Sequence, residues 1–167
     1  MKEELEIQTV FDLYADQIYR LAYLYMHDEA DASDIVQDVF LKWMKQDQKF
    51  KDEEHRKAWL LRVTHNTCKS RLRLFWRRKR VDLSEIKEVG ITDPQSLDLI
   101  AHVMTLPDHY KIVIYLYYYE GYKETEIASL LDVNPSTIRS RMARARVMLK
   151  DCLEKEGYEY ETRKIPQ

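Results

Sequence analysis

The segment Lys123–Lys150 constrains the fold more than any other part of this chain, because two helical patterns flank a short break. Glu124–Leu131 carries apolar residues at helical spacing, and the sequence Asp132-Val133-Asn134-Pro135 then interrupts that pattern. Asn134 or Ser136 can cap the following helix, and a proline in its first turn costs no hydrogen bond since the N–H there is unpaired anyway. The segment therefore predicts a helix, a tight turn and a second helix.

The second predicted helix has two contrasting sides. At about 100° per residue, a narrow apolar stripe is formed by Ile138, Met142, Ala145 and Leu149. The outward side consists of arginines and small residues, namely Arg139, Ser140, Ala143 and Arg144, with Arg141 and Arg146 on its flanks. Arginine can bind guanine edges with two hydrogen bonds, and small side chains let the helix backbone approach the bases. A solvated surface helix would look similar, but the preceding short helix and turn favour a DNA-reading helix-turn-helix.

The composition favours a nearly all-helical chain, because only three glycines and four prolines occur among 167 residues. The formal net charge of −2 is unusual for a DNA-binding protein. However, acidic residues dominate positions 1–55, whereas basic residues are concentrated in 56–80 and 139–150. The net charge therefore conceals two basic patches.

Several other classes of protein and site are disfavoured. Cys68 and Cys152 are far apart, which suits reduced cytosolic thiols. His65 and Cys68 are one helical turn apart, but no second pair at ligand spacing accompanies them, so we expect no metal or cofactor. No nucleophile–base pair or glycine-rich phosphate loop indicates an enzyme. No apolar run approaches the roughly 20 residues of a membrane span, and the N-terminus lacks a signal-peptide pattern. We expect a cytoplasmic protein.

Helical periodicity divides the chain into two small all-α domains joined by a linker. In the first, helices are predicted over 6–27, over Ala32–Met44 and from about His55 into the basic segment. Residues 81–95 have no helical period and serve as the linker. In the second, Leu97–Met104 and Asp108–Tyr119 precede the helix-turn-helix, and Gly121 is placed for a left-handed cap. The predicted domains are thus 1–80 and 96–160.

The third helix mixes cations with aromatic residues. Arg62, Asn66, Lys69, Arg71 and Arg73 lie along it, and it ends in Phe75-Trp76-Arg77-Arg78-Lys79-Arg80. Cations bind phosphates, and exposed aromatic rings can stack on unpaired bases. The alternative is a cationic helix end that stabilises its own dipole. Trp59 is expected in the core rather than at a contact.

One face of the second helix is acidic and polar, with Asp34, Gln37 and Asp38 beside Phe40 and Leu41. On its own this face would be taken as a solvated surface. Two basic modules without a catalytic group, however, suggest an adaptor that must also hold an enzyme.

Four segments, in order and at matching spacing, resemble the extracytoplasmic-function (group IV) sigma factors of bacterial RNA polymerase. The segment Asp31–Leu41, DASDIVQDVFL, is similar to the D-A-E-D-L-V-Q-E-V-F-L of sigma region 2, and Trp59–Asn66 resembles its W-L-x-R-I-A-x-N. The stretch from Leu106-Pro107 through Glu126-Ile127-Ala128 to Thr137–Arg146 resembles region 4. The likeness covers nearly the whole chain. One departure, Pro135-Ser136 before Thr137, leaves open where the recognition helix begins.

The resemblance implies a subunit that binds core RNA polymerase and directs promoter-specific initiation, typically in a stress or envelope response. It implies −35 contacts by Ser136, Thr137, Arg139, Ser140, Arg141, Arg144 and Arg146. It also implies that side chains of the third helix recognise and help to melt the −10 element, aided by the loop before that helix. These side chains are Arg62, Asn66, Lys69, Arg71, Arg73, Arg77 and Arg78. It implies docking on the β′ clamp by Asp34, Gln37, Asp38, Phe40 and Leu41. The β flap and an anti-sigma factor, soluble or membrane-anchored, are further implied partners.

A rival interpretation is an autonomous helix-turn-helix repressor or activator whose N-terminal half senses a ligand or dimerises. That protein would bind a two-fold operator tightly without polymerase. The acidic helix and the second basic module argue against it, because a sensor domain needs no strip of cations and aromatics.

Overall fold

A computed structural model describes residues 3–78 and 97–155, with side chains over 3–77 and 101–155. The predicted linker 81–95, the side chain of Arg78 and the end of the second predicted domain lie outside these residues. The part described is built from helices without strands, as predicted. It divides into two compact units, one built on the first three helices and the other on most of the last four.

The first unit packs three helices, α1 (Glu4–Met26), α2 (Glu29–Lys45) and α3 (Glu53–Arg78), against one another. α1 ends at His27, which has a left-handed φ of 56°. Asp28 then caps α2, because its Oδ1 accepts a hydrogen bond from the Asp31 N–H at 2.9 Å. Asp52 Oδ1 accepts from the His55 N–H at 2.8 Å, so α3 begins two residues earlier than predicted. The sequence pattern predicted all three helices, and the predicted ends agree with the observed ends to within a few residues.

The core of the first unit lies where the three helices meet. Its fully buried members include Val10, Ile18, Leu21, Ile35, Val39, Trp43, Leu60 and Cys68. Burial raises the pKa of the Cys68 thiol to about 12. His65 is also buried, and its Nδ1 is hydrogen-bonded to the Tyr25 hydroxyl. Phe11 and Leu13 of α1 remain 44% and 52% exposed because they flank the buried stripe.

The second unit contains α4 (Leu97–Thr105), α5 (Asp108–Tyr118), α7 (Pro135–Lys155) and the part of α6 (Glu124–Leu131) up to Ala128. α7 packs against α4 and α5. After α5 the chain reverses at Gly121, whose φ of 74° is the left-handed conformation predicted for it. The Tyr122 N–H donates to the Leu116 carbonyl at 3.0 Å and closes this turn.

The turn between α6 and α7 is short and is stabilised by backbone hydrogen bonds. Asp132 adopts a left-handed φ of 54°, and the Val133 N–H donates to the Ala128 carbonyl at 3.0 Å. The Asn134 carbonyl accepts from the Thr137 N–H at 2.9 Å, so α7 begins at Pro135. This settles the start of the second helix and confirms the predicted helix-turn-helix.

Candidate nucleic-acid interface

The outward face of α7 presents the side chains expected of a recognition helix. Ile138, Met142 and Ala145 are fully buried, and Leu149 is half-buried. On the opposite side, exposed residues follow one another over three turns: Ser136, Arg139, Ser140, Ala143 and Arg144. Thr137 and Arg141 are half-buried at the edge of this face. The apolar stripe therefore fixes α7 with its arginines and hydroxyls outward, where a major groove can receive them.

A polar groove of about 410 Å³ lies beside the first turns of α7. It is lined by His109, Tyr110, Ser136, Thr137, Ser140, Arg141 and Arg144. Sequence reasoning did not select His109 and Tyr110. They lie in the first turn of α5, far before α7 in the chain. Only the packing of α5 on α7 brings them to this groove.

Arg146 is held by tyrosines from the end of α5. Its Nε donates to the Tyr118 hydroxyl at 3.1 Å. Its guanidinium lies 5.6 Å from the ring centroid of Tyr117 and 5.9 Å from that of Tyr118, distances typical of cation–π contact. Arg146 is nevertheless exposed, on the flank predicted for it.

A cationic stripe runs along α3 in the first unit. Its members, spaced four, three, four and four positions apart, are Arg62, Asn66, Lys69, Arg73 and Arg77. All five are exposed, and at about 100° per residue they fall within a quarter of the helix circumference. Near the end of the helix Phe75 and Trp76 are also exposed, at 46% and 53%. This arrangement suits binding to a nucleic-acid strand.

Arg71 does not belong to this stripe, although the sequence grouped it with the other cations. It lies about 180° away around α3 and faces α2. Its Nη2 is 2.7 Å from Asp38 Oδ2, and its Nη1 is 3.8 Å from Asp34 Oδ2. Four residues earlier, Thr67 Oγ1 accepts a hydrogen bond from Lys42 Nζ at 2.8 Å. Arg71 therefore joins α3 to α2 instead of presenting its charge with the stripe.

The polar face of α2 is assembled as predicted, with one exception. Asp34, Gln37 and Leu41 are exposed, and Asp38 is partly exposed beside Arg71. Phe40 is only 5% exposed, because its ring packs against Phe11 at a centroid distance of 4.9 Å. Its inclusion in a contact surface is therefore corrected: Phe40 supports the helix from inside.

The loop between α2 and α3 forms a second open groove of about 410 Å³. The groove is lined by Glu6, Met44, Gln46, Asp47, Gln48, Lys49, Phe50 and Arg56. Phe50 packs edge-on against Trp59 at a centroid distance of 5.7 Å, and both rings are half-buried. Trp59 therefore packs against this loop. It is half-buried and not a core residue, in contrast to the prediction.

The described residues form neither a metal-binding cluster nor a membrane-spanning helix. Across 3–78 and 97–155, three or more His, Cys, Asp or Glu side chains do not come together in a way that could hold a metal ion. Within the same ranges, the helices are too short or too polar to cross a bilayer.

The outward face of α7 after the short turn defines a helical DNA-binding protein of the helix-turn-helix class. Residues 10–78 match the family model described as Sigma-70 region 2, and residues 97–149 match that of Sigma-70, region 4. The chain belongs to the extracytoplasmic-function (ECF) sigma factors of the sigma-70 family.

Two relatives illustrate the similarity. The chain is 31% identical over 160 residues to the ECF RNA polymerase sigma factor SigE of Mycolicibacterium smegmatis, covering 87% of this chain and 61% of that one. It is 30% identical over 149 residues to the RNA polymerase sigma factor SigV of Bacillus subtilis, covering 86% and 88% of the two chains. The chain thus spans a little under two thirds of SigE but most of SigV.

Solved structures share the fold at lower sequence identity. The sigma factor RpoE of Bartonella quintana, crystallised with the anti-sigma factor NepR, is similar with a TM-score of 0.71 and 23% identity, over 89% of this chain and 97% of that one. CnrH, solved in complex with the cytosolic domain of CnrY, is similar with a TM-score of 0.62 and 20% identity, over 93% and 92%.

Proposed function

We propose that this chain is the promoter-recognition subunit of RNA polymerase, using three separate surfaces for the −35 element, the −10 element and the core enzyme. The observation that carries the proposal is the outward face of α7, held in place by a buried apolar stripe. The proposal includes no catalytic step, since a sigma factor positions the polymerase and the polymerase makes RNA. Such a subunit acts in the cytoplasm, where polymerase and chromosome meet.

The −35 surface consists of the exposed face of α7. Arg139 and Arg144 are the base-reading candidates, because a guanidinium can bind the O6 and N7 of guanine together. Ser140 and Ala143 allow close approach between them. Ser136, Thr137, Arg141 and Arg146 lie on the first turn or the flanks, where side chains reach phosphates.

The −10 surface consists of the cationic stripe of α3 and the neighbouring loop groove. Arg62, Lys69, Arg73 and Arg77 are assigned to phosphates, and Asn66 to a base edge or the separated strand. The exposed ring of Trp76, at the edge of this stripe, suits stacking on unpaired bases, whereas Phe75 lies on the far side of α3. Arg78 continues the basic segment, but its side chain is not described.

The polymerase surface consists of Asp34, Gln37, Asp38 and Leu41 on α2, which would dock on the β′ clamp, while the second unit binds the β flap. A mixed acidic and apolar face suits a partner with cations around an apolar centre. Because one similar solved structure, that of RpoE, contains the anti-sigma factor NepR, we also propose that an anti-sigma factor binds this chain.

The test is run-off transcription by purified core polymerase on a library of genomic fragments, with and without this protein. We expect a small set of fragments to be transcribed only when the protein is present, and these to share two spaced elements. Tight binding of the free protein to a two-fold operator, without association with core polymerase, would instead indicate an autonomous repressor or activator.

A further inference from the structure

The polar groove beside α7 contains two side chains that the −35 surface does not use. α7 contributes Ser136, Thr137, Ser140, Arg141 and Arg144 from three successive turns. From α5 come His109, which is exposed, and Tyr110, which is half-buried. The rings of His109 and Tyr110 lie against each other, with centroids 4.1 Å apart and planes inclined by 50°. They form one wall of the groove.

The chemistry of the lining indicates an anionic ligand. Every lining side chain carries a hydrogen-bond donor: an imidazole, a phenol, three aliphatic hydroxyls and two guanidiniums. No carboxylate lines the groove, and the adjacent Asp108 is paired with Lys111 Nζ at 3.0 Å. An apolar ligand would leave these donors without acceptors, which is costly. Phosphate oxygens would satisfy them.

The dimensions of the groove indicate a chain of phosphates in preference to a single one. From Ser136 to Arg144 it follows α7 for about 12 Å at 1.5 Å per residue. That length exceeds the extent of one phosphate and corresponds to three to four base-pair steps of about 3.4 Å along the axis of a DNA duplex. The groove also shares Ser140 and Arg144 with the face assigned to base edges. A strand whose bases meet that face would have its backbone in the groove.

We propose that His109 and Tyr110 bind the sugar-phosphate backbone at one edge of the −35 element and fix the position of α7 in the major groove. The inference rests on the proposed −35 role of α7. These contacts carry no sequence information, so they contribute affinity and orientation equally on every promoter.

The test uses the holoenzyme, assembled from core polymerase and the full chain, and two duplexes. One is a promoter selected by run-off transcription, and the other is the same duplex with its −35 bases replaced. His109→Arg and His109→Glu are compared with Ala101→Arg and Ala101→Glu at mildly alkaline pH. Ala101 is exposed on α4 and does not line the groove, so its variants control for the change in total charge.

We expect His109→Arg to strengthen DNA binding and His109→Glu to weaken it. For each variant, the factor of change should be the same on the two duplexes. His109→Arg should steepen the slope of log K against log salt by about 0.9, so that its advantage shrinks about threefold between roughly 50 and 200 mM salt. Tyr110→Phe should weaken binding equally on both duplexes without changing the slope, since it removes a neutral donor.

Three outcomes would overturn the inference. His109 variants that behave like the Ala101 variants would exclude a backbone contact. Effects confined to the selected duplex would mean that the groove reads bases. If the wild-type holoenzyme does not distinguish the two duplexes, the base-reading role of α7 fails, and the backbone assignment that rests on it falls too. Circular dichroism of each variant checks that the fold is retained.

Discussion

Two arginines two positions apart on α3 are expected to behave in opposite ways, and their comparison tests the division of that helix. Arg73 is exposed on the cationic stripe, whereas Arg71 faces α2 and pairs with Asp38 at 2.7 Å. Replacing Arg71 by Ala should therefore reduce the stability of the first unit and leave binding to −10 DNA unchanged in its salt dependence. Arg73→Ala should do the reverse.

The magnitudes follow from the geometry. The side chains of Arg71 and Asp38 are 31% and 41% exposed, so solvent screens their attraction. Partly exposed pairs contribute about 0.2–1 kcal/mol, and the short charge-assisted bond places this one near the upper end. A loss of about 1 kcal/mol lowers the melting temperature of a unit of this size by roughly 4–8 °C. Loss of one phosphate contact at Arg73 lowers the salt slope by about 0.9, or about 0.7 on a single strand.

Thermal unfolding by circular dichroism measures the first effect. Binding of the holoenzyme to a −10 fragment with one strand exposed, titrated with salt, measures the second. A reduced salt slope for Arg71→Ala, equal to that for Arg73→Ala, would contradict the division of α3 into a DNA-facing stripe and an α2-facing side. An Arg71→Ala protein as stable as the wild type would show that the ion pair has no energetic value.

The remaining predictions address the other surfaces. Replacing Arg139 or Arg144 by Ala should cost about 1–3 kcal/mol of discrimination between matched and mismatched −35 sequences, measured by competition binding; equal losses on both would exclude base reading. Gln37→Arg with Leu41→Arg should weaken core binding at least about tenfold with unchanged circular dichroism, and unchanged core affinity would return this face to plain solvated surface. Asn66→Ala should impair open-complex formation on duplex promoters more than on templates mismatched in advance, because a bubble removes the cost of about a few kcal/mol for unstacking; an equal defect on both would contradict a role in melting.

The sequence predicted the helices, the helix-turn-helix and the inward side of α7 because these follow from local periodicity and turn chemistry. The separate position of Arg71 could have been predicted. It was grouped with its neighbours by charge, although its angle around α3 already separates it from Arg62, Asn66 and Arg73. The position of Phe40 could have been predicted in the same way. Its angle around α2 separates it from Asp34 and Leu41, and its ring is buried in the core.

The groove beside α7 could not have been found in this way. His109 and Tyr110 belong to the first turn of α5, and no local pattern relates that turn to the start of α7. Their proximity depends on the packing of two helices around a shared core, which involves buried residues such as Ile112 and Ile138. Tertiary packing, and not helical period, determines which side chains meet there.

The tyrosines that hold Arg146 affect the entropy of DNA binding. A free arginine on a helix surface samples many rotamers, and immobilising such a side chain at an interface costs about 0.5–1.5 kcal/mol. The Tyr118 hydroxyl and the two aromatic rings already restrict Arg146 in the unbound protein. Part of the rotamer entropy of Arg146 is therefore lost when the chain folds, before DNA binds. A phosphate reached by Arg146 would therefore be bound by a pre-organised guanidinium, with a gain in affinity that requires no additional contact.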